Sequence, residues 1–150
     1  MLRVICICFI VGFDQYTKYI VSQKIPFADS ITITNFFDIV HFNNTGAAFS
    51  FLHNASGWQN SFFIFITIFI ILFLVYQLRQ LKNIFPQLSI LFIIAGGIGN
   101  LIDRVFLGHV IDFLYFHIND LYWPAFNIAD SFITIGAIGY GISIFKGYVK

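Results

Sequence analysis

The chain has 150 residues, of which 59% are hydrophobic, 20% aromatic and 10% charged. Soluble domains carry about 25% charged residues, so eight bases and seven acids cannot wet the surface of a globule this size, and a net charge of +1 offers no basic stripe for phosphates. A soluble domain, a disordered chain and a nucleic-acid binder are excluded, and the length allows one domain.

The first apolar segment, Val4–Phe13, is interrupted by Asp14 and Lys18 and resumes at Tyr19–Val21. Arg3 followed by this run has the outline of a cleaved signal peptide. No small-x-small site follows it, so the segment is read as a span. Cys6 and Cys8 each follow an Ile, where lipid modification would want a small residue. On a helix, residues i and i+2 point to different faces, so the two read as small buried hydrophobes. Asp14 and Lys18 are i and i+4, acid first, the favourable order for an ion pair on one face.

Ser30–Thr34 alternates polar and apolar residues, and Phe36–Phe42 continues an extended aromatic pattern, which predicts a short strand pair. Asn43-Asn44-Thr45-Gly46 is a turn signal. Ala47–Leu52 is too apolar for a free loop and is expected to pack on the helices or the bilayer surface. Ser61–Leu78 and Asn83–Ile102 are uncharged and each about one bilayer thick. Gly96, Gly97 and Gly99 permit close approach of a second helix. Asn100 and Asp103 follow at i and i+3, with Arg104 beside the acid, as in a charge cluster that closes the helix end. The last span, Ala125–Phe145, carries one ionisable residue, Asp130.

Four spans put both termini on one side. Arg3, Arg79, Lys82, Lys146 and Lys150 gather there, which makes it cytoplasmic by the positive-inside rule. All seven acids are Asp, at positions 14, 29, 38, 103, 112, 120 and 130, and all fall on or near the other face with Lys18, Lys24 and Arg104. Trp58, Tyr115, Tyr122 and Trp123 fall there too, as an interfacial belt requires.

Asp112 and Asp130 lack a base nearby in sequence and have apolar neighbours. If close, they could not both ionise comfortably, and one would hold a proton, as in an aspartic protease dyad. Spacing alone does not single out this pair among seven Asp, and Asp130 also reads plainly as an N-terminal helix cap. There is no Glu and hence no His-Glu-x-x-His motif. His41, His53, His109 and His117 lack ligand spacing, so no metal and no cofactor are expected. A proton or ion pathway and a non-enzymatic assembly factor are the rival readings. No chain of polar residues crosses Ser61–Leu78 or Asn83–Gly99 to support the first.

Five blocks in order carry a family resemblance: Asp14-Gln15-Tyr16-Thr17-Lys18, 43–50 from Asn43 to Ser50, Gly99-Asn100-Leu101-Ile102-Asp103-Arg104, Val110-Ile111-Asp112-Phe113, and Phe126-Asn127-Ile128-Ala129-Asp130-Ser131. With their placement against four spans, the chain resembles bacterial lipoprotein signal peptidase, signal peptidase II. The resemblance implies an all-α integral membrane protein with a small extracytoplasmic β element and a short outer loop over the active site. It would form a single domain over 1–150, with spans about 3–22, 58–79, 84–104 and 125–146 and outer loops about 23–57 and 105–124.

It further implies an aspartic endopeptidase of the bacterial inner membrane. Its substrates would be prolipoproteins whose lipobox cysteine carries diacylglycerol, cut before that cysteine in contact with membrane lipids, and globomycin would be its inhibitor. The family's catalytic aspartates match Asp112 and Asp130. Asn44, Asn100, Arg104 and Asn127 would contact substrate backbone or hold the dyad. Asp14, Lys18 and Asp103 would organise the site, with Gly46 and Ala129 as further site positions. Phe49 and Phe51 are expected to form a lid. One departure stands out: His109 occupies the place of the family's usual aromatic before the Val-Ile-Asp run.

Overall fold

The computed structural model describes residues 2–46, 58–119 and 121–149. The expectations for Ala47–Leu52, the Phe49 and Phe51 lid, His53, Asp120 and Lys150 lie outside the described residues. Four long helices run as α1 (Leu2–Lys24), α2 (Trp58–Gln80), α3 (Ile84–Phe106) and α4 (Ile128–Phe145). Each is long and apolar enough to cross a membrane. Four strands complete the fold: β1 (Ser30–Thr34) and β2 (Phe37–Asn44) between α1 and α2, and β3 (Val110–Ile118) and β4 (Leu121–Tyr122) between α3 and α4.

α2 is apolar on every side yet buries only Gln59, Leu74 and Leu78. Such a helix is stable where hydrocarbon covers its outer faces. α3 is the central element, and eleven of its residues, from Pro86 to Asp103, are buried. Leu74 and Leu78 of α2 pack against Ile90, Leu91 and Ile94 of α3 in the main apolar cluster. On its other side α3 meets α4 through small residues. A Cβ on Gly136 would lie 2.5 Å from the Ser89 carbonyl oxygen, and one on Gly96 would overlap that of Ala129. Helix backbones this close are how apolar spans associate without a hydrophobic driving force.

The sheet is antiparallel in the order β1-β2-β3-β4. The strand pair read from 30–42 is present as β1 and β2, with Ser30 opposite Val40. Two further strands come from the segment between α3 and α4, so a mostly helical fold carries a larger sheet than the strand pair alone. Val21 and Ile25 at the end of α1 pack under Phe113 of β3 and join sheet to helices. Phe126 bridges to Leu114, with main-chain bonds of 2.8 and 3.1 Å in both directions. That bridge draws the chain entering α4 against β3.

Cys6 and Cys8 depart from the buried reading: Cys6 is half-buried and Cys8 exposed. Their i, i+2 spacing rotates one of them off the packed face of α1.

Candidate active site

Five elements, α1, β2, α3, β3 and the start of α4, converge on one buried polar cluster. On β2 and β3, Asn44 pairs with Val110 and Phe42 with Asp112. Asn44 is therefore a diagonal neighbour of Asp112 on the same sheet face. The Phe126–Leu114 bridge then places Asn127 beside Asp112. Asn127 is also the N-cap of α4: its Oδ1 accepts from the Asp130 N–H at 2.9 Å, while Asp130 Oδ2 accepts from the Asn127 N–H at 3.2 Å. The helix cap is therefore Asn127 and not Asp130, which is the third residue of the capping box and is tied by it to the same Asn127 that bonds Asp112.

Each oxygen of the two carboxylates accepts an N–H. Asp112 Oδ1 accepts from Asn127 Nδ2 at 2.8 Å and Oδ2 from Asn44 Nδ2 at 2.9 Å. Asp130 Oδ1 accepts from Asn100 Nδ2 at 2.7 Å, and its Oδ2 bond is the capping one. The amide orientations are forced by their other ends. Asn44 Oδ1 accepts from the Gly46 N–H at 2.8 Å, and Asn100 Oδ1 accepts from the Lys18 ammonium at 3.0 Å. An ammonium can only donate, so the Asn100 NH₂ must face Asp130. Gly46 takes a φ of 109°, and an added Cβ would overlap the Phe63 ring. Glycine is required there for both backbone and space.

Beneath the pair lies a second layer. Lys18 Nζ is 2.8 Å from Asp14 Oδ2 and 2.8 Å from Asp103 Oδ2, with all three side chains essentially buried. The Asp14–Lys18 pair read from the sequence is present, joined by a third member. Asp103 does not close the helix end with Arg104. It turns inward to Lys18, and its Oδ2 also accepts from the Ile111 N–H at 3.3 Å. Asp14 Oδ1 accepts from the Ala129 N–H at 2.8 Å. One carboxylate therefore ties down β3 and the other α4, each two or fewer residues from the Asp it supports. Ala129 is fully buried between α3 and α1, where only a small side chain fits.

Gln15 carries no reading from the sequence beyond its place in a block, yet its Nε2 reaches Asp103 Oδ1 at 2.7 Å, the Gly99 carbonyl at 3.1 Å and Asp14 Oδ2 at 3.3 Å. No spacing rule reveals it, because two of its three partners, Gly99 and Asp103, lie on α3. Arg104 lies over the Phe63 ring, 5.3 Å from its centroid, and Asn60 donates to its carbonyl at 2.9 Å. These α2 residues were equally silent in the sequence.

Asp112 is 3% exposed. Burial first, and the neighbouring Asp130 second, push its carboxyl up from 3.8 to about 7 against the bonds from Asn44 and Asn127. Asp130 borders two hollows. One, of about 280 Å³, runs from Asn100 and Arg104 down between α2, α3 and α4 to Leu74 and Ile93. The other, of about 300 Å³, is lined by Trp123, Phe126, Ser131, Thr134 and Ile135. A third and larger hollow of about 390 Å³ lies at the sheet tip among Phe36, Phe116 and Trp123, and none of its lining residues joins the polar cluster.

The family model described as signal peptidase (SPase) II matches residues 6–146. The chain belongs to the signal peptidase II family. A lipoprotein signal peptidase of Alteromonas mediterranea is 44% identical over 135 residues, 89% of this chain and 74% of that one. One of Tolumonas auensis is 44% identical over 145 residues, 95% and 87% of the two chains. Two bacterial membrane enzymes of known structure superpose with TM-scores of 0.86 and 0.84 at 39% and 38% identity, each over 97% of this chain and over 88% and 93% of theirs. As a member of the signal peptidase II family with four span-length helices, the chain is a multi-pass membrane protein.

Proposed function

We propose that the chain is an aspartic endopeptidase that removes the signal peptide from diacylglyceryl-modified prolipoproteins, cutting before the lipidated cysteine. The observation that carries this reading is the Asp112–Asp130 pair, held through one shared residue, Asn127, with each of its four oxygens accepting from an N–H. Two such carboxyls, one ionised and one protonated, activate water and polarise a carbonyl. The lipoprotein signal peptidase name of the relatives supplies the substrate class.

Asn44, Asn100 and Asn127 hold the pair. Arg104, which lines the hollow beside Asp130, contacts the substrate. Asp14, Lys18, Asp103 and Ala129 fix the backbone beneath it, and Gly46 fixes Asn44. That hollow, apolar away from the pair, suits an aliphatic chain or a membrane helix, so the scissile bond meets the carboxyls while the rest of the substrate stays in lipid.

The protein sits in the bacterial inner membrane with both termini cytoplasmic. The Arg3–Gln87 bond of 2.7 Å and the Asn83–Tyr148 bond of 3.1 Å gather the basic end, which supports this orientation. The sheet and the site then lie at the outer face, and globomycin is the expected inhibitor.

The test is a processing assay with purified protein and diacylglyceryl prolipoprotein. Asp112→Asn and Asp130→Asn are each expected to abolish cleavage while the protein remains folded. Near-normal cleavage by either variant refutes the pair, and equal cleavage of unlipidated precursor refutes the substrate.

A further inference from the structure

We infer that in the resting site the pair's single proton resides on Asp112 and that Asp130 carries the negative charge. The inference rests on the catalytic reading above and assigns each carboxyl its part in it.

The surroundings of the two groups differ in kind. Asp130 occupies the third position of α4, where the free N–H groups of the first turn and the helix dipole favour an anion, and one of those N–H groups bonds its Oδ2. Its Oδ1 takes the Asn100 NH₂, and the Asn100 oxygen faces the Lys18 ammonium at 3.0 Å. Lys18, itself flanked by Asp14 and Asp103, thus holds the Asn100 amide with its positive NH₂ end toward Asp130.

Asp112 has no such support. It stands on β3, and strands have little net dipole. The two groups bonded to it are neutral side-chain amides. The charged groups around it are Asp130 on α4, Lys18 on α1, and Asp103 and Arg104 on α3, while β2 contributes the neutral Asn44. Burial and the Asp130 charge both oppose its ionisation, and its carboxyl titrates at about 7.

The amide orientations add a consequence for the proton. Asn44 and Asn127 have their oxygens engaged by the Gly46 and Asp130 N–H groups, so both present NH₂ to Asp112. Neither can accept the Asp112 proton. The O–H is left for an incoming carbonyl oxygen.

The reaction then balances as follows. Asp130 takes a proton from water as the water oxygen bonds the scissile carbonyl carbon, and the Asp112 proton passes to the carbonyl oxygen, giving a neutral geminal diol. As the C–N bond breaks, Asp130 gives its proton to the leaving nitrogen. Asp112 takes one back from the diol. One water is consumed and the pair regains its starting state.

Infrared difference spectroscopy of the purified protein across pH tests this. The protonated-carboxyl C=O band is expected in the wild type, lost as pH rises through about 7, and absent from Asp112→Asn at neutral pH. In Asp130→Asn the band should be present at acidic pH and lost at a lower pH than in the wild type, because the neighbouring charge is gone. A band that survives to neutral pH in Asp112→Asn, or one lost at an unchanged or higher pH in Asp130→Asn, overturns the assignment.

Should either variant fail to fold, wild-type alkylation decides the matter. An ionised carboxylate opens an epoxide, whereas a protonated carboxyl protonates a diazoacetyl ester and is alkylated with loss of N₂, so peptide mapping should find the two labels on Asp130 and Asp112 respectively; the reverse overturns the inference. Cleavage measured on the same Asn variants separates the two ideas. Retained cleavage sinks the catalytic reading, whereas lost cleavage with a reversed spectrum sinks only the proton assignment.

Discussion

Replacing Lys18 by Met probes the layer beneath the pair. The methionine preserves most of the apolar stem and removes the one ammonium that touches Asp14 and Asp103 at 2.8 Å each. Two buried carboxylates would then be left with only Gln15 and the Ala129 and Ile111 N–H groups. Removing one partner of a buried ion pair costs about 3–5 kcal/mol, which corresponds to a fall in Tm of roughly 10 °C for a chain of this length.

A second effect acts on the chemistry. Without Lys18 the Asn100 oxygen keeps only the 3.2 Å bond from Asn127 Nδ2, and the amide can turn its oxygen toward Asp130. A hydrogen bond to a charged group is worth about 1.5–3 kcal/mol, so the fraction of correctly oriented sites, and with it kcat, should fall about tenfold to a hundredfold. Thermal unfolding followed by circular dichroism in detergent reads the first effect, and the lipidated-precursor assay the second. Adding Asp14→Asn to Lys18→Met removes one unpaired charge and should recover part of the stability. A Lys18→Met protein within about 0.5 kcal/mol of wild type would refute the argument that this cluster depends on its single cation.

Three further outcomes are expected. In Gly99→Ala the new methyl would stand 2.7 Å from Asp14 Oδ2, an atom pinned by Lys18; denaturant titration should show a loss of about 1–3 kcal/mol, and an unchanged midpoint contradicts the packing. Gly46→Ala forces a side chain into a φ of 109° and against Phe63, a strain of about 1–3 kcal/mol; initial-rate kinetics should show a lower kcat as Asn44 loses its hold, with Tm lower by roughly 2–12 °C. Asp112 holds its proton in the folded protein up to about pH 7 but only to 3.8 when unfolded. Its contribution to stability is therefore complete below the lower value, is lost as pH rises to about 7 and is level above it, about 1.4 kcal/mol per pH unit in that window. Wild-type melting points should decline across the window more steeply than those of Asp112→Asn, and parallel curves contradict a raised carboxyl.

Much of the site is legible in the chain because helical spacing brings it together locally. Asp14 and Lys18 share a face at i, i+4, and Asn127 and Asp130 meet at i, i+3 as cap and third residue of one helix. The contacts that cross between elements leave no such mark. Asp103 has Arg104 beside it in sequence, yet the buried face of α3 carries Asp103 to Lys18 while Arg104 turns to Phe63. Gln15 reaches Asp103, and Asn60 and Phe63 reach Arg104, across to α3 from other helices. β3 is hidden for a related reason: its first four residues are buried on both faces, so apart from Asp112 they are apolar and lack the alternation that marks β1.

Composition and hydropathy alone determined that the chain belongs in a bilayer, because 10% charged residues cannot hydrate a surface and hydrocarbon-length apolar runs have no other stable place. The ordered blocks were enough to point to the family. Which two of seven carboxyls stand together was a matter of tertiary structure. Asp112 and Asp130 are 18 positions apart on a strand and a helix. They share Asn127 because the Phe126–Leu114 bridge docks the start of α4 on β3. Their unequal environments arise there as well: a helix end and an amide oriented by Lys18 for one, a buried strand for the other.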